Sequence, residues 1–367
     1  MIATAQYDSL SHGNYNRTYL LHLPAGYTGL NPLPLVVAMH GGFGNAYSMQ
    51  ATSQLSLKAD AENFVVVYPE GVKGGFLNAS SWNAGWCCGF ASNTAVDDVG
   101  FIEVLLDSLS QQYAIDSNRI YVTGMSNGGF MTYRLACELS NRIAAIAPVA
   151  ASMSISNCSP LRPVPVINFH SYLDTHIPYS GGIGNGPSSH YNLPQDSVIN
   201  TWAAINSCTV PQDTLVNNSN YTLVKWRACN CSSEIHHYAT QDGGHSWPGG
   251  PQTASGDPSS SAIDATHLIW SFFQQHTLNC SNVTPIRTNN TAASIIQFYP
   301  NPTKGKLRAT SNLKQNLEIV VFNAVGEKVA AFKNSLEIDL SRLEKGVYFI
   351  QTKTTNQIYI DKIVKID

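Results

Sequence analysis

Apolar residues fall into two rhythms along this chain. Between Tyr19 and Gln275 short unbroken runs alternate with longer stretches of helical spacing. The runs include "LPLVVAMHGG", "FVVVYPEG", "RIYVTGMS", "IAAIAPVAA", "VPVINFHSYLD" and "HHYATQDGGH". They are rich in Val, Ile and Ala, and several close in glycine or polar turn residues. "VGFIEVLLDSLSQQY" and "GGFMTYRLACELS" instead space their apolar residues as an amphipathic helix does. Apolar strands separated by helices predict a mostly parallel, doubly wound sheet covered on both faces, an α/β fold.

After Cys280 the rhythm changes. "SNVTPIRTNNTAAS" is polar and rich in Asn and Thr, which predicts a linker over 281–297. From 298 to 367 short alternating strands with Gly and Asn turns predict a small β-sandwich. The expected division is therefore 1–280, 281–297 and 298–367.

One strand-to-helix turn carries chemistry. "YVTGMSNGGF" places Ser126 at the centre of G-x-S-x-G, with a strand expected before it and a helix over 128–139 after it. That context predicts a nucleophile on a strained turn, with Gly124 and Gly128 letting neighbouring backbone close in. A serine hydroxyl is a poor nucleophile without a base, and the base needs an acid to orient it. In this arrangement the chain order is serine, acid, histidine. Downstream, "NFHSYLDTHIPYSGG" puts Asp174 just past one apolar strand, and "DGGHSWPGG" puts His245 just past another. Both positions are strand carboxyl ends, where doubly wound sheets place their sites.

Asp242 is the substitute acid. His176 shares the Asp174 loop and is too local to be the base. His236 and His237 fall inside a strand and read as structural. An oxyanion hole is expected from the Asn127 amide and from Gly42 or Phe43 in "HGGFGN", with His40 a structural hydrogen-bonder. Trp82, Trp86 and Trp247 are candidate substrate-stacking rings. Asp97 and Asp98 are expected to cap the helix that follows them.

Composition narrows the class. The 367 residues are 12% charged with a net charge of −3, and Lys and Arg do not cluster. Nucleic acid is therefore not an expected partner. No apolar run reaches the roughly 18 residues of a membrane span. "MIATAQYDSL" has neither a basic nor a long apolar segment, so it does not read as a signal peptide.

Eight cysteines point to an oxidising compartment and disulfides. The neighbours Cys87 and Cys88 are expected to pair elsewhere or stay free. Cys229, Cys231, His236 and His237 form a rival zinc set, but the C-x-C spacing is tighter than zinc sites use. Disulfides are the expectation, with no metal.

Two resemblances attach to these residues. The tail motifs "FYPNPTKGKL", "VFNAVGEKV", "DLSRLEKGVYFIQ" and "KIVKI" resemble the C-terminal sorting domain of type IX secretion substrates. That resemblance implies export across a Gram-negative outer membrane by a secretion machinery, with the product secreted or held at the cell surface. The segments "HGGFGNA", "SSWNAGWCCG", "VDDVGFIEVLLDSL", "YAIDSNRIYVTGMSNGGFMTYRLACELSNRIAAIAPVA", "HSYLDTHIPYSGG" and "GGHSWPGG" resemble α/β-hydrolase esterases. These are the group containing feruloyl esterases, acetyl xylan esterases and polyhydroxybutyrate depolymerase-like proteins.

This resemblance implies Ser126 as nucleophile, Asp174 as orienting acid and His245 as base, without metal or organic cofactor. Ser171 and Tyr172 depart from the Gly-Thr that commonly leads to the aspartate. The resemblance further implies that Cys208 pairs with Cys229 or Cys231. The expected activity is hydrolysis of feruloyl or acetyl esters on plant cell-wall polysaccharide. A polyester such as polyhydroxyalkanoate is the alternative substrate, and a non-catalytic binding protein on the same fold is the reading from another class.

Overall fold

The apolar runs become the strands of one ten-stranded sheet. In the computed structural model residues 4–75, 77–187, 189–209, 212–252, 257–279, 297–310, 318–323, 327–333, 335–353 and 358–366 are described. The chain divides into two compact units, Met1–Thr284 and Pro285–Asp367. The linker expected at 281–297 and Cys280 lie outside the described residues, apart from the Gln297 backbone.

The sheet strands of the first unit are β1 (Thr4–His12), β2 (Tyr15–Leu23), β3 (Leu33–Met39), β4 (Val65–Pro69) and β5 (Ile115–Met125). They continue with β6 (Ala145–Val149), β7 (Val166–Ser171), β8 (Asp213–Asn217), β9 (Tyr221–Trp226) and β10 (Ile235–Thr240). Their order is β1-β2-β4-β3-β5-β6-β7-β10-β9-β8. The six central strands pair in parallel. The edges are antiparallel hairpins, which the apolar pattern did not predict. β3, β4, β6, β7 and β10 are buried at every position, as strands covered on both faces must be.

Two cores form on opposite faces of the sheet. Leu33, Leu35, Val37 and Met39 of β3 point into one, and Val36 and Ala38 into the other. The helices are α1 (Ala46–Ser53), α2 (Leu55–Glu62), α3 (Gly89–Asn93), α4 (Asp98–Gln112), α5 (Asn127–Glu138), α6 (Gln195–Ile205) and α7 (Ala265–Phe273). α4, α5 and α6 cover the first core, and α1, α2 and α7 the second. Asn45 opens α1 with a capping box through Ser48, Asp97 caps α4 and Asp264 caps α7.

β3 lies between β4 and β5, so the chain leaves it in one direction and returns on its other side. This is the topological switch point, where open α/β sheets form a crevice at their carboxyl ends. "HGGF" follows β3 there, and Ser126 follows β5.

In the second unit, strands Gln297–Tyr299, Lys306–Thr310 and Glu337–Asp339 form one sheet. Strands Glu318–Asn323, Lys328–Lys333, Gly346–Lys353 and Ile358–Lys365 form another. Phe298, Leu307 and Ile338 of the first share a core with Ile319, Val321, Ile350 and Ile363 of the second, which is the expected small β-sandwich.

Candidate active site

β5 ends at Met125 and α5 begins at Asn127, so a single residue turns the chain. That residue is Ser126, with φ 54° and ψ −124°, a backbone conformation that L side chains seldom adopt. Its amide donates to Val149 O at 2.9 Å, and its carbonyl accepts from the Phe130 amide at 2.9 Å. Its hydroxyl makes no capping hydrogen bond to α5. The flanking glycines are required by contact: a Cβ on Gly124 would overlap Gly128 O, and one on Gly128 would overlap Met39 O and His40 O. The strand, the helix and the end of β3 thereby close tightly around the serine.

Gly41 packs directly on Ser126: a Cβ there would lie 3.2 Å from Ser126 Cβ. The Phe43 amide is already engaged, donating to Ser80 O at 3.0 Å. Of the two residues expected to contribute a donor from this loop, Gly42 therefore keeps the free choice and Phe43 does not. Phe43 has φ 64° and its ring is exposed.

His40 holds the loop from beneath. Nδ1–H donates to Gly41 O at 2.6 Å and Nε2 accepts the Gly71 amide at 3.0 Å, which fixes the tautomer. Burial pushes its pKa down to about 4, against the opposing effect of the bond to Gly41 O. A buried neutral imidazole with both nitrogens occupied is a prop, as expected, and not a second base.

Asp174 and His245 meet across the ends of β7 and β10. His245 Nδ1 donates to Asp174 Oδ2 at 2.8 Å, with the carboxylate fully buried and the imidazole side chain 12% exposed. Asp174 Oδ1 accepts the amides of His176 and Ile177 at 2.9 and 2.8 Å. Burial works to raise the Asp174 pKa, but His245, His170 and the Ile177 amide outweigh it, and the net shift is downward. The carboxylate therefore stays ionised. Asp242 is not an alternative acid: its oxygens bind Ser260 and Ser261.

His176 packs edge-on against His245, ring centres 4.8 Å apart. Asp174, His176 and His245 each bring one donor atom within 4.8 Å of the others. A divalent ion there would compete for the Asp174 oxygen that holds His245.

Two supports carried no signal in the sequence, and a third was assigned another role. His170 Nε2 donates to Ile177 O at 2.7 Å and lies 3.5 Å from Asp174 Oδ2. Asp257 Oδ2 accepts the His245 amide at 2.7 Å, pinning the histidine loop. Asp98 does not cap α4. It is buried against Arg17 at 2.6 Å and accepts the Asn83 amide at 2.7 Å, while Asp97 caps the helix through Gly100.

The tryptophans divide. Trp82 and Trp247 are fully buried, their indole N–H groups bound to His40 O and Thr266 Oγ1. Neither presents a face to a substrate. Trp86 is 45% exposed and keeps that option.

The cysteines pair as Cys137–Cys158, Cys208–Cys229 and, against expectation, Cys87–Cys88. The peptide between Cys87 and Cys88 is cis, which brings their Cα atoms to 3.0 Å. Cys231 is disulfide-bonded too. The rival zinc set is thus dispersed: two of its sulfurs are oxidised, His236 binds Glu234 and His237 binds Asn168 and Tyr179.

Residues 17–160 match the family model described as esterase PHB depolymerase, and residues 297–366 match the secretion system C-terminal sorting domain. Feruloyl esterase B of Piromyces equi is 30% identical to the chain over 201 residues, covering 53% of this chain and 36% of that protein. The bifunctional acetylxylan esterase/xylanase XynS20E of Neocallimastix patriciarum is 28% identical over 251 residues, 67% of this chain and 31% of its own length. Feruloyl esterase C of Emericella nidulans is 28% identical over 262 residues, 70% of this chain and 83% of its own. The chain thus spans about a third of the length of the first two of these relatives. The first matched segment holds every candidate site residue from Gly42 to Asn127, and Asp174 and His245 lie beyond it. The sorting domain marks a protein that is secreted or displayed at the cell surface.

Proposed function

We propose that the first unit is a serine carboxylic-ester hydrolase acting outside the cell on feruloyl or acetyl esters of plant cell-wall polysaccharide. The observation that carries this reading is the buried Asp174–His245 hydrogen bond at the carboxyl ends of β7 and β10, in the same sheet whose β5 ends in the positive-φ Ser126. Residues 1–280 are the catalytic domain in this reading, 281–297 the joint, and 298–367 the export signal recognised by the secretion machinery.

His245 donates Nδ1–H to Asp174, which leaves Nε2 with its lone pair as the base. It takes the Ser126 proton as Oγ attacks the ester carbonyl. The oxyanion is held by the Asn127 and Gly42 amides at the N-terminus of α5, where the helix dipole adds to their effect. The alcohol leaves with the proton from His245, and a water repeats the sequence to free the acid. The Ser126–His245 bond this requires commonly tightens only when substrate is bound.

The names of the relatives support polysaccharide esters as the substrate, and exposed Trp86 and Phe43 are suited to an aromatic acyl group. The family description supports the second reading, a polyester depolymerase. Methyl ferulate, acetylated xylan and polyhydroxybutyrate film assayed together separate the two. Fastest release from the first two substrates is expected, and release from the film alone would overturn the polysaccharide assignment.

A further inference from the structure

Both halves of the oxyanion hole are tied to one strip of backbone, Ser80–Asn83. On the β3 side, Ser80 O accepts the Phe43 amide at 3.0 Å and the Trp82 indole N–H donates to His40 O at 3.0 Å. On the α5 side, the Asn127 side chain spans the strip. Its Oδ1 accepts the Trp82 amide at 2.7 Å, and its Nδ2 donates to Trp82 O at 3.0 Å. The strip is clamped from behind. Asp98 accepts the Asn83 amide at 2.7 Å and pairs with Arg17 at 2.6 Å, both side chains being buried. Asn83 Nδ2 donates to Val96 O at 2.8 Å. The Arg17 guanidinium lies 3.9 Å from the Phe101 ring centre and 5.8 Å from that of Trp82.

Core hydrogen bonds satisfy buried groups wherever they occur. What distinguishes these is where they end. Asn127 carries one proposed donor on its own backbone, and His40 is two residues before Gly42, which carries the other. Trp82 touches both: its backbone binds Asn127 and its ring binds the His40 carbonyl. An oxyanion hole works by holding its donors in place before the charge develops, so the spacing of the two amides is the quantity that matters.

We propose that Trp82 and the Asn127 side chain are positioning residues that set the separation of the two oxyanion donors. This rests on Ser126 being the nucleophile. It also gives Trp82 a role in the reaction that needs no contact with substrate.

The test uses Asn127→Ala, which keeps the backbone amide, and Trp82→Phe, which keeps the ring bulk but loses the indole N–H. Complete loss of one oxyanion donor costs about a hundredfold to a thousandfold in kcat. A donor loosened but retained costs less, so each variant should lose about tenfold to a hundredfold in kcat on p-nitrophenyl acetate, with KM nearly unchanged.

An alkyl boronic acid supplies the second readout. Its boron takes Ser126 Oγ as a fourth ligand, the serine proton passes to His245, and the tetrahedral adduct places an oxygen in the hole. Boronate affinity should fall by the same factor as kcat. The double variant should lose less than the product of the single losses, because both act on one spacing. Melting curves identify a variant that has lost its fold, and Trp82→Phe decides the question should Asn127→Ala fail to fold. Unchanged kcat and boronate affinity in the folded variants, with Ser126→Ala inactive, would overturn the proposal alone. A fall in kcat with boronate affinity untouched would reduce the pair to a structural prop and overturn it equally. Activity surviving in Ser126→Ala would instead overturn the reading beneath it.

Discussion

Ser126, Asp174 and His245 are asked to act as one unit, and each has its own measurable failure. Ser126→Ala should lower kcat on p-nitrophenyl esters by at least about a thousandfold while leaving the melting temperature unchanged. The hydroxyl caps nothing in α5, so its removal costs the fold little. Asp174→Asn keeps the shape but can no longer hold His245 with its proton on Nδ1. A loss of about ten-thousandfold in kcat is expected, and a loss under tenfold would place the acid elsewhere.

The buried histidines give a separate prediction. Burial lowers His40 and His276 to about 4 and His237 to about 3. In the unfolded chain a histidine titrates near 6.5. At pH 7 both states are neutral and the full stability is present. As pH falls through 6.5 the unfolded chain takes up protons that the folded one refuses, so stability is lost progressively down to about pH 4 and below. A shift from 6.5 to about 4 is worth roughly 3 kcal/mol for one such group. The melting temperature should therefore drop steadily between pH 6.5 and 4. A flat profile over that range would show that these groups are not buried neutral.

At the scale of elements, the sheet was legible where both faces are covered and illegible where only one is. Runs such as "LPLVVAM" and "FVVVYP" announce central strands because nothing polar can be tolerated on either face. The edge hairpin Thr4–Leu23 mixes exposed and buried positions, and its alternation is lost among Asn, Ser and Tyr.

The candidate site divides by the same logic. Ser126, Asp174 and His245 were readable because each follows a strand and sits in a glycine-marked or polar turn. Asp257, His170 and the Arg17–Asp98 pair were not, since each acts on a partner that only folding brings near. Trp82 and Trp247 misled because an aromatic beside a motif reads alike whether it faces a ligand or the core. Asp257 offers the test at this scale. It grips the site through the bond to the His245 amide. Asp257→Ala should lower kcat about tenfold through looser placement of the imidazole and cost about 1–3 kcal/mol for the unpaired amide. Unchanged kcat would show that Gly244 and Ser246 hold the loop without it.

For the molecule as a whole, the question is whether catalysis and export are separable. The first unit has its own pair of cores on the two faces of its sheet, and the second closes a core of its own from two small sheets. All candidate catalytic residues fall in the first. Units that each bury their own apolar surface can fold alone. The chain lacking residues 281–367, which keeps all eight cysteines, should therefore hydrolyse p-nitrophenyl acetate with kcat and KM within about twofold of the full chain. That follows because no transition-state contact is removed. In a Gram-negative host with the matching secretion system, the same truncation should leave the enzyme cell-associated, while the full chain reaches the medium or the outer surface. A large fall in kcat on truncation would make the tail part of the catalytic unit. Release of the truncated chain to the outside would show that the tail is not the export signal. The two readouts fail independently, so one truncation tests both halves of the assignment.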